Sequence, residues 1–244
     1  MNGFWKLTWI ETKVFAREPL GLIGTLIIPV VLFLVLGRMM GPDTTPGAPP
    51  EGEIFNVAIL AALAIAVSAV ISLVAIISIY REGGILKRLR ATPLSPVTIL
   101  GAHVFVKLAF TVGSLALMVA VGRRIIPGAL DVNLLSFTVA VVLSTLSILS
   151  MGFVIASVVP TARFAQPITA AFLYPMIAVS GLFFPIEVLP TVPRFVAAVL
   201  PTTHAVSLMQ GIWDGAGWDI ASAVSLVVAF GVCTAASTRL FRWE

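Results

Sequence analysis

The sequence predicts an all-α integral membrane protein. It has six transmembrane helices, an N-terminal interfacial helix, a short cytoplasmic helix between spans two and three, and short re-entrant outer helices between spans five and six. Three observations predict it. The 244 residues are 59% hydrophobic and only 11% charged, where a soluble domain carries about 25% charged residues. The apolar residues gather into six long runs. The basic residues concentrate in alternate connections between those runs. This arithmetic excludes a soluble enzyme and a disordered chain. It also excludes a nucleic-acid binder, because the net charge of +4 is spread among apolar runs and makes no extended basic tract. The one cysteine, Cys233, excludes both a disulfide framework and a cysteine-ligated metal site.

The first 19 residues read as a helix lying in the headgroup layer. At 100° per residue, Lys6, Lys13 and Arg17 fall within about 40° of one another, and Trp5 and Trp9 flank that stripe as interfacial aromatics do. Glu11 and Glu18, seven residues apart, share a second polar face, and Pro19 marks the turn into the first span. These acids before a long apolar run do not fit a signal peptide.

A helix needs about 20 apolar residues to cross the hydrocarbon layer. Leu20–Gly37 is charge-free and carries Pro29, which predicts a kink. Ile54–Ile79 is also charge-free. Val104–Gly122 is interrupted only by Lys107, near its start, where a long side chain can snorkel to the interface. Leu134–Val159 and Phe164–Phe184 follow. Trp218–Thr238 is the last, with Asp219 at its mouth and Trp218 suited to the aromatic belt. The chain reads as a single transmembrane domain over residues 1–244.

Orientation follows from the cations. With both termini cytoplasmic, 11 of the 15 Lys and Arg residues lie on the inner side, as the positive-inside rule requires. Seven of the 11 acids then lie outside. The expected location is the cell membrane, with several passes.

Two connections are more than loops. After the second span the chain reads Tyr80-Arg-Glu-Gly-Gly-Ile-Leu-Lys-Arg-Leu-Arg-Ala-Thr-Pro-Leu-Ser-Pro96. Ile85, Leu86 and Leu89 make one apolar side of a short helix, and Arg81 and Arg88 share another. Ser95-Pro96 has the N-cap and first-turn chemistry that starts the next helix. Between spans five and six, the stretch Pro193–Pro201 is apolar but about a third of a span long, with proline on both sides. Backbone at membrane depth must bond within itself or be buried in protein, so short helices dipping in and out fit best. Glu187 and His204 in this segment read as transport groups or as ties that bind the loop together. The Pro- and Gly-rich outer loop Arg38–Glu53 reads as a solvated connection.

Some chemistry is missing from the sequence. There is no G-x-x-x-x-G-K-[ST] phosphate loop. His103 and His204 read as lying in connections on opposite sides of the membrane, unable to share a metal, so no metal site and no catalytic residue are expected. No charged residue falls at the middle of a span, where a proton-coupled carrier keeps its relay. Energy for active transport would enter from another chain.

The strings Arg81-Glu82-Gly83 and Leu86-Lys87-Arg88-Leu89-Arg90-Ala91-Thr92-Pro93-Leu94-Ser95 resemble the cytoplasmic loop of type-two permeases of ATP-binding-cassette (ABC) exporters, including daunorubicin-resistance-like permeases. Phe4-Trp5 through Phe15-Ala16-Arg17-Glu18-Pro19, Ser180-Gly-Leu-Phe-Phe-Pro185 and Leu200-Pro-Thr-Thr-His-Ala205 are similar to other parts of that family, in order along nearly the whole chain. The resemblance implies a non-catalytic half-transporter. A second permease, expected to be identical, would complete a pathway for an amphipathic substrate such as a drug or lipid. Two separate ABC ATPase subunits would drive it, holding ATP and Mg, with no cofactor in this chain. It also implies an ATPase-coupling set of Arg81, Glu82, Gly83, Leu86, Arg88 and Leu89, joined by the interfacial helix with Trp5, Trp9, Glu11, Arg17 and Glu18. By the same resemblance, spans two and five line the pathway. Ser68, Ser72, Gln166 and Thr169 are the polar side chains there able to face a cavity or to bond between helices. An ion-coupled carrier and a partner-binding membrane protein without transport remain the competing classes. Nucleic acid is not an expected partner; membrane lipid is.

Overall fold

A computed structural model describes residues 2–17, 19–39, 57–84, 96–125, 133–159, 161–183 and 185–240. Among them there is no β-strand. The elements are α1 (Asn2–Ala16), α2 (Pro19–Leu22), a π-helical turn (Ile23–Ile27), α3 (Ile28–Met39), α4 (Val57–Glu82), α5 (Pro96–Ile125), α6 (Leu134–Val158), α7 (Ala162–Ala178), a 3₁₀ turn (Ile186–Val188), α8 (Thr191–Val199), α9 (Pro201–Trp213) and α10 (Ile220–Leu240).

Helix α6 sits at the centre, packed against α4, α9 and α10. Its buried surface is rich in small side chains, with Ala140, Ser144, Ser147, Ser150, Gly152 and Ala156 lying among larger ones such as Phe137, Ile148 and Leu149. Lipid offers no hydrophobic gain for packing one helix on another, so close approach through small residues supplies the contact instead. A Cβ built on Gly152 would stand 2.9 Å from Val70 Cγ1 of α4, so glycine sets that separation. Ser147 Oγ donates to Leu226 O at 3.0 Å and ties α6 to α10. Phe137 of α6 meets the Trp213 ring of α9 edge to face at 5.3 Å.

The sequence-predicted fourth span agrees with α6 to one residue, and α5 begins at Pro96, where a proline in the first helical turn is expected. The first span departs from a simple proline kink. Pro29 has no N–H, and its ring crowds the carbonyl four residues back; the helix relieves this with the π-helical turn Ile23–Ile27 just before it. The fifth helix ends earlier than predicted, at Ala178, with Pro167 and Pro175 inside it. The proline-rich stretch after α7 forms two short helices, α8 and α9, bent by 75° at Leu200. Three of the described helices are long and apolar enough to cross a membrane: residues 101–121 of α5, α6 and α10. The bent α8–α9 pair makes a fourth if taken as one span.

Candidate functional site

The middle of α1, the C-terminal half of α4 and the N-terminal half of α5 converge on a buried polar node. Phe4, Thr8, Glu11 and Phe15 fall along one side of α1, because positions three, four and seven apart share a helix face. That side packs on α5: Phe4 and Trp5 meet Phe105 edge to face at 6.1 and 5.7 Å, and Phe15 meets Phe110 at 4.5 Å. Glu11 is carried inward with it. Its Oε2 lies 3.1 Å from His103 Nδ1 of α5, and its Oε1 accepts from the Tyr80 hydroxyl of α4 at 3.2 Å. An ionised carboxylate only accepts, so Nδ1 is the protonated nitrogen of His103. Burial raises the Glu11 carboxyl above its ordinary value of 4.5, against the opposing pull of the Tyr80 hydroxyl and the Lys107 charge.

Lys107, one helical turn beyond His103, is only 4% exposed. Its ammonium donates to Ser72 Oγ of α4 at 2.6 Å and stands 3.5 Å over the Phe15 ring of α1. An ammonium over an aromatic face is stabilised by the ring quadrupole. A cavity of about 20 Å³, room for one water, is lined by Glu11, Ser72, His103 and Lys107 among others. One buried anion and one buried cation thus share the node, and the charges offset each other.

These positions revise several sequence expectations. Glu11 is not on an outward polar face. Lys107 does not snorkel to the interface, because α1 and α4 cover it. Both histidines lie within helices, His103 in α5 and His204 in α9. Tyr80, His103 and Lys107 carried no functional assignment in the sequence, although the four-residue spacing of His103 and Lys107 places them on one face of α5. Glu18 lies outside the described residues.

Of the expected coupling residues, Arg81, Glu82 and Gly83 are described, whereas Leu86, Arg88 and Leu89 lie outside the described residues. Arg81 turns inward. Its guanidinium donates to Ala156 O and Val159 O, both at 2.9 Å, and so satisfies carbonyls at the C-terminal end of α6. Glu82 is exposed in the last turn of α4, and the chain then turns through Gly84 at φ 64°, a left-handed conformation that glycine takes without strain. Trp5 and Trp9 are exposed on α1, and Arg17 is exposed in the turn just after it.

The four expected pathway residues separate. Ser68 Oγ pairs with Thr25 Oγ1 of the π-helical turn at 3.4 Å, Ser72 accepts from Lys107, and Thr169 is buried with its hydroxyl donating to Ala165 O at 2.6 Å. Gln166 is exposed. At the opposite end, Glu187 is exposed, while His204 lies within hydrogen-bonding distance of Ala198 O (Nε2, 3.0 Å) and Ser222 Oγ (Nδ1, 3.4 Å). Asp219 caps α10 by accepting from Ala221 N–H at 3.1 Å, and it accepts from the Ser207 hydroxyl at 3.1 Å. Bonds from Ser222, then from Ser207 and Ala221, hold the Asp219 carboxyl below its ordinary value. His204 and Asp219 therefore join the α8–α9 pair to α10.

Among the described residues no group of three or more His, Cys, Asp or Glu side chains is placed to hold a metal. Comparison with curated proteins finds no match. A family model described as ABC-2 type transporter matches residues 2–213, from the start of α1 to the end of α9. That match covers α1 to α9 and the buried node, most of the chain, and the chain therefore belongs to the ABC-2 type transporter family, as a membrane-embedded permease component.

Proposed function

We propose that this chain is the permease subunit of an ABC exporter, energised through the cytoplasmic segment between α4 and α5. Family membership supports an ABC ATPase as partner in general terms. The observation that carries the finer reading is the Glu11 node. Glu11 on α1 bonds Tyr80 near the end of α4 and His103 near the start of α5, and those two helices enter and leave the 85–95 segment. A push on that segment meets a stem braced by α1, while Glu82 stays exposed at its edge. Leu86 and Leu89 would give the apolar grip on an ATPase, with Glu82 and Arg88 as polar contacts.

In this reading the chain crosses the membrane six times with both termini cytoplasmic, and a second, identical permease completes the pathway for an amphipathic substrate. Two ATPase subunits supply ATP hydrolysis, so this chain is not itself an enzyme. Gln166, exposed on α7, is the strongest pathway candidate of the four residues read from the sequence. Topology is tested by thiol labelling in a Cys233→Ser background. Cysteines at Thr45 and Thr191 should react with an impermeant reagent in intact cells, and one at Thr92 should not. Labelling at Thr92 alone overturns the orientation. Co-purification with an ABC ATPase separates this reading from an ion-coupled carrier.

A further inference from the structure

Turning Glu11 inward has a consequence for the opposite side of α1. Lys6, Lys13 and Arg17 are all exposed there, roughly 200–240° around the helix from Glu11. None of the three is ion-paired among the described residues, and Lys13 lies 5.0 Å over the Trp9 ring. Glu11 is the only acid among the described residues of α1, and it is sealed against α5. The outward face therefore carries three cations and no anion. Apolar side chains border the cations on both sides: Trp5 and Trp9, 55% and 61% exposed, on one, and Ile10 and Val14, 54% and 42% exposed, on the other.

We infer that this face of α1 is a binding site for anionic phospholipid, selected over zwitterionic lipid by Lys6, Lys13 and Arg17. Charge complementarity points to an anion, and the flanking side chains point to hydrocarbon on both sides of it. A phosphate-bearing headgroup with its acyl chains supplies both, with the indoles at headgroup level. An acidic protein surface would match the cations and leave Trp5, Trp9, Ile10 and Val14 in water. The site does not depend on the coupling segment or on the direction of transport.

The test uses the full chain in nanodiscs of phosphatidylcholine with a fixed fraction of phosphatidylglycerol, one lipid at a time carrying brominated acyl chains that quench tryptophan. The signal is the share of quenching removed by Trp5→Phe/Trp9→Phe. Each cation near an anionic surface contributes about fivefold, so brominated phosphatidylglycerol should quench several-fold beyond its mole fraction, and the excess should fall as salt rises. Lys6→Gln/Lys13→Gln/Arg17→Gln should abolish the excess. Arg194→Gln/Arg239→Gln, remote in sequence, should keep it, as should Lys6→Arg/Lys13→Arg, which preserves charge. Equal quenching by the two lipids in the parent chain overturns the assignment. So does an excess that survives the triple glutamine change. A triple variant that keeps the excess but loses ATPase co-purification also overturns it, by assigning the cations to a protein partner.

Discussion

The Glu11 carboxylate and the His103 imidazole meet at 3.1 Å across the α1–α5 interface, with both side chains almost closed to solvent. Removing one charge of a buried, mutually offset pair strands the other, at a cost of about 3–5 kcal/mol. Here the charge left stranded is that of Lys107, which Glu11 offsets. Glu11→Ala should therefore destabilise the detergent-solubilised protein by about 3 kcal/mol, and Glu11→Gln by less. Adding Lys107→Met to Glu11→Gln should restore part of the loss. Thermal unfolding of these three variants and of Lys107→Met alone checks this; a double variant as unstable as the sum of the single ones refutes charge compensation.

The same carboxyl predicts a pH dependence with a definite sign. Burial holds Glu11 above its ordinary value of 4.5, so the folded state binds its proton more tightly than the unfolded state does. That contribution to stability is fully present below pH 4.5 and is lost as pH rises through the raised folded value. The stability of the parent relative to Glu11→Gln should fall across that window and level off above it. Paired unfolding curves from pH 4 to 8 measure it.

Arg81 tests a different joint. Its two bonds to Ala156 O and Val159 O pin the end of α4 to the end of α6. A hydrogen bond to a charged group is worth about 1.5–3 kcal/mol, so Arg81→Met should cost about 2–4 kcal/mol. Arg81→Lys keeps the charge and one donor direction but cannot fork to two carbonyls, and it should recover about half. If Arg81→Met unfolds as the parent does while ATPase binding falls, the side chain faces the partner instead.

Gly152 fixes how closely α4 approaches α6. Its absent Cβ would come within 2.9 Å of Val70 Cγ1, and overpacking of this kind costs about 1–3 kcal/mol. Gly152→Ala should lower the unfolding temperature, and Val70→Ala introduced with it should recover most of the loss. Equal stability of Gly152→Ala and the parent would show that the helices separate freely.

Much of this architecture is legible in the sequence, and the reasons are local. A 26-residue run without charge, bounded by Asn133 and Pro160, reads as one helix and matches α6 to within a residue, and Asn133 accepts from Ser136 N–H as its cap. The prolines at 190, 193 and 201 announce a break in the apolar stretch, and the bend of 75° between α8 and α9 falls there. The buried node was less legible because it is a relation between helices distant in sequence. On a wheel Glu11 keeps company with Phe4, Thr8 and Phe15, opposite the cations, and that arrangement hints at burial. Whether an acid on such a face meets a partner depends on α5 presenting His103 and Lys107 at the same height, which no local pattern encodes. The π-helical turn was half visible: Pro29 marks the place but does not choose between a kink and a widened turn.

The proposed coupling stands or falls on whether the 80–96 segment passes ATP hydrolysis to the membrane helices. The decisive measurement is substrate-stimulated ATPase activity, with export, in vesicles holding this chain and its co-purified ATPase. Glu82 is exposed, and a single exposed ion pair contributes about 0–1 kcal/mol, so Glu82→Ala should insert and assemble, and Arg88→Ala is expected to do the same. Their hydrolysis should no longer respond to substrate, and export should fall. Leu86→Ser/Leu89→Ser should weaken assembly more than either charge change. If the double serine variant assembles normally and both charge variants export at the parental rate, the segment is only a positively charged anchor and the coupling assignment is wrong.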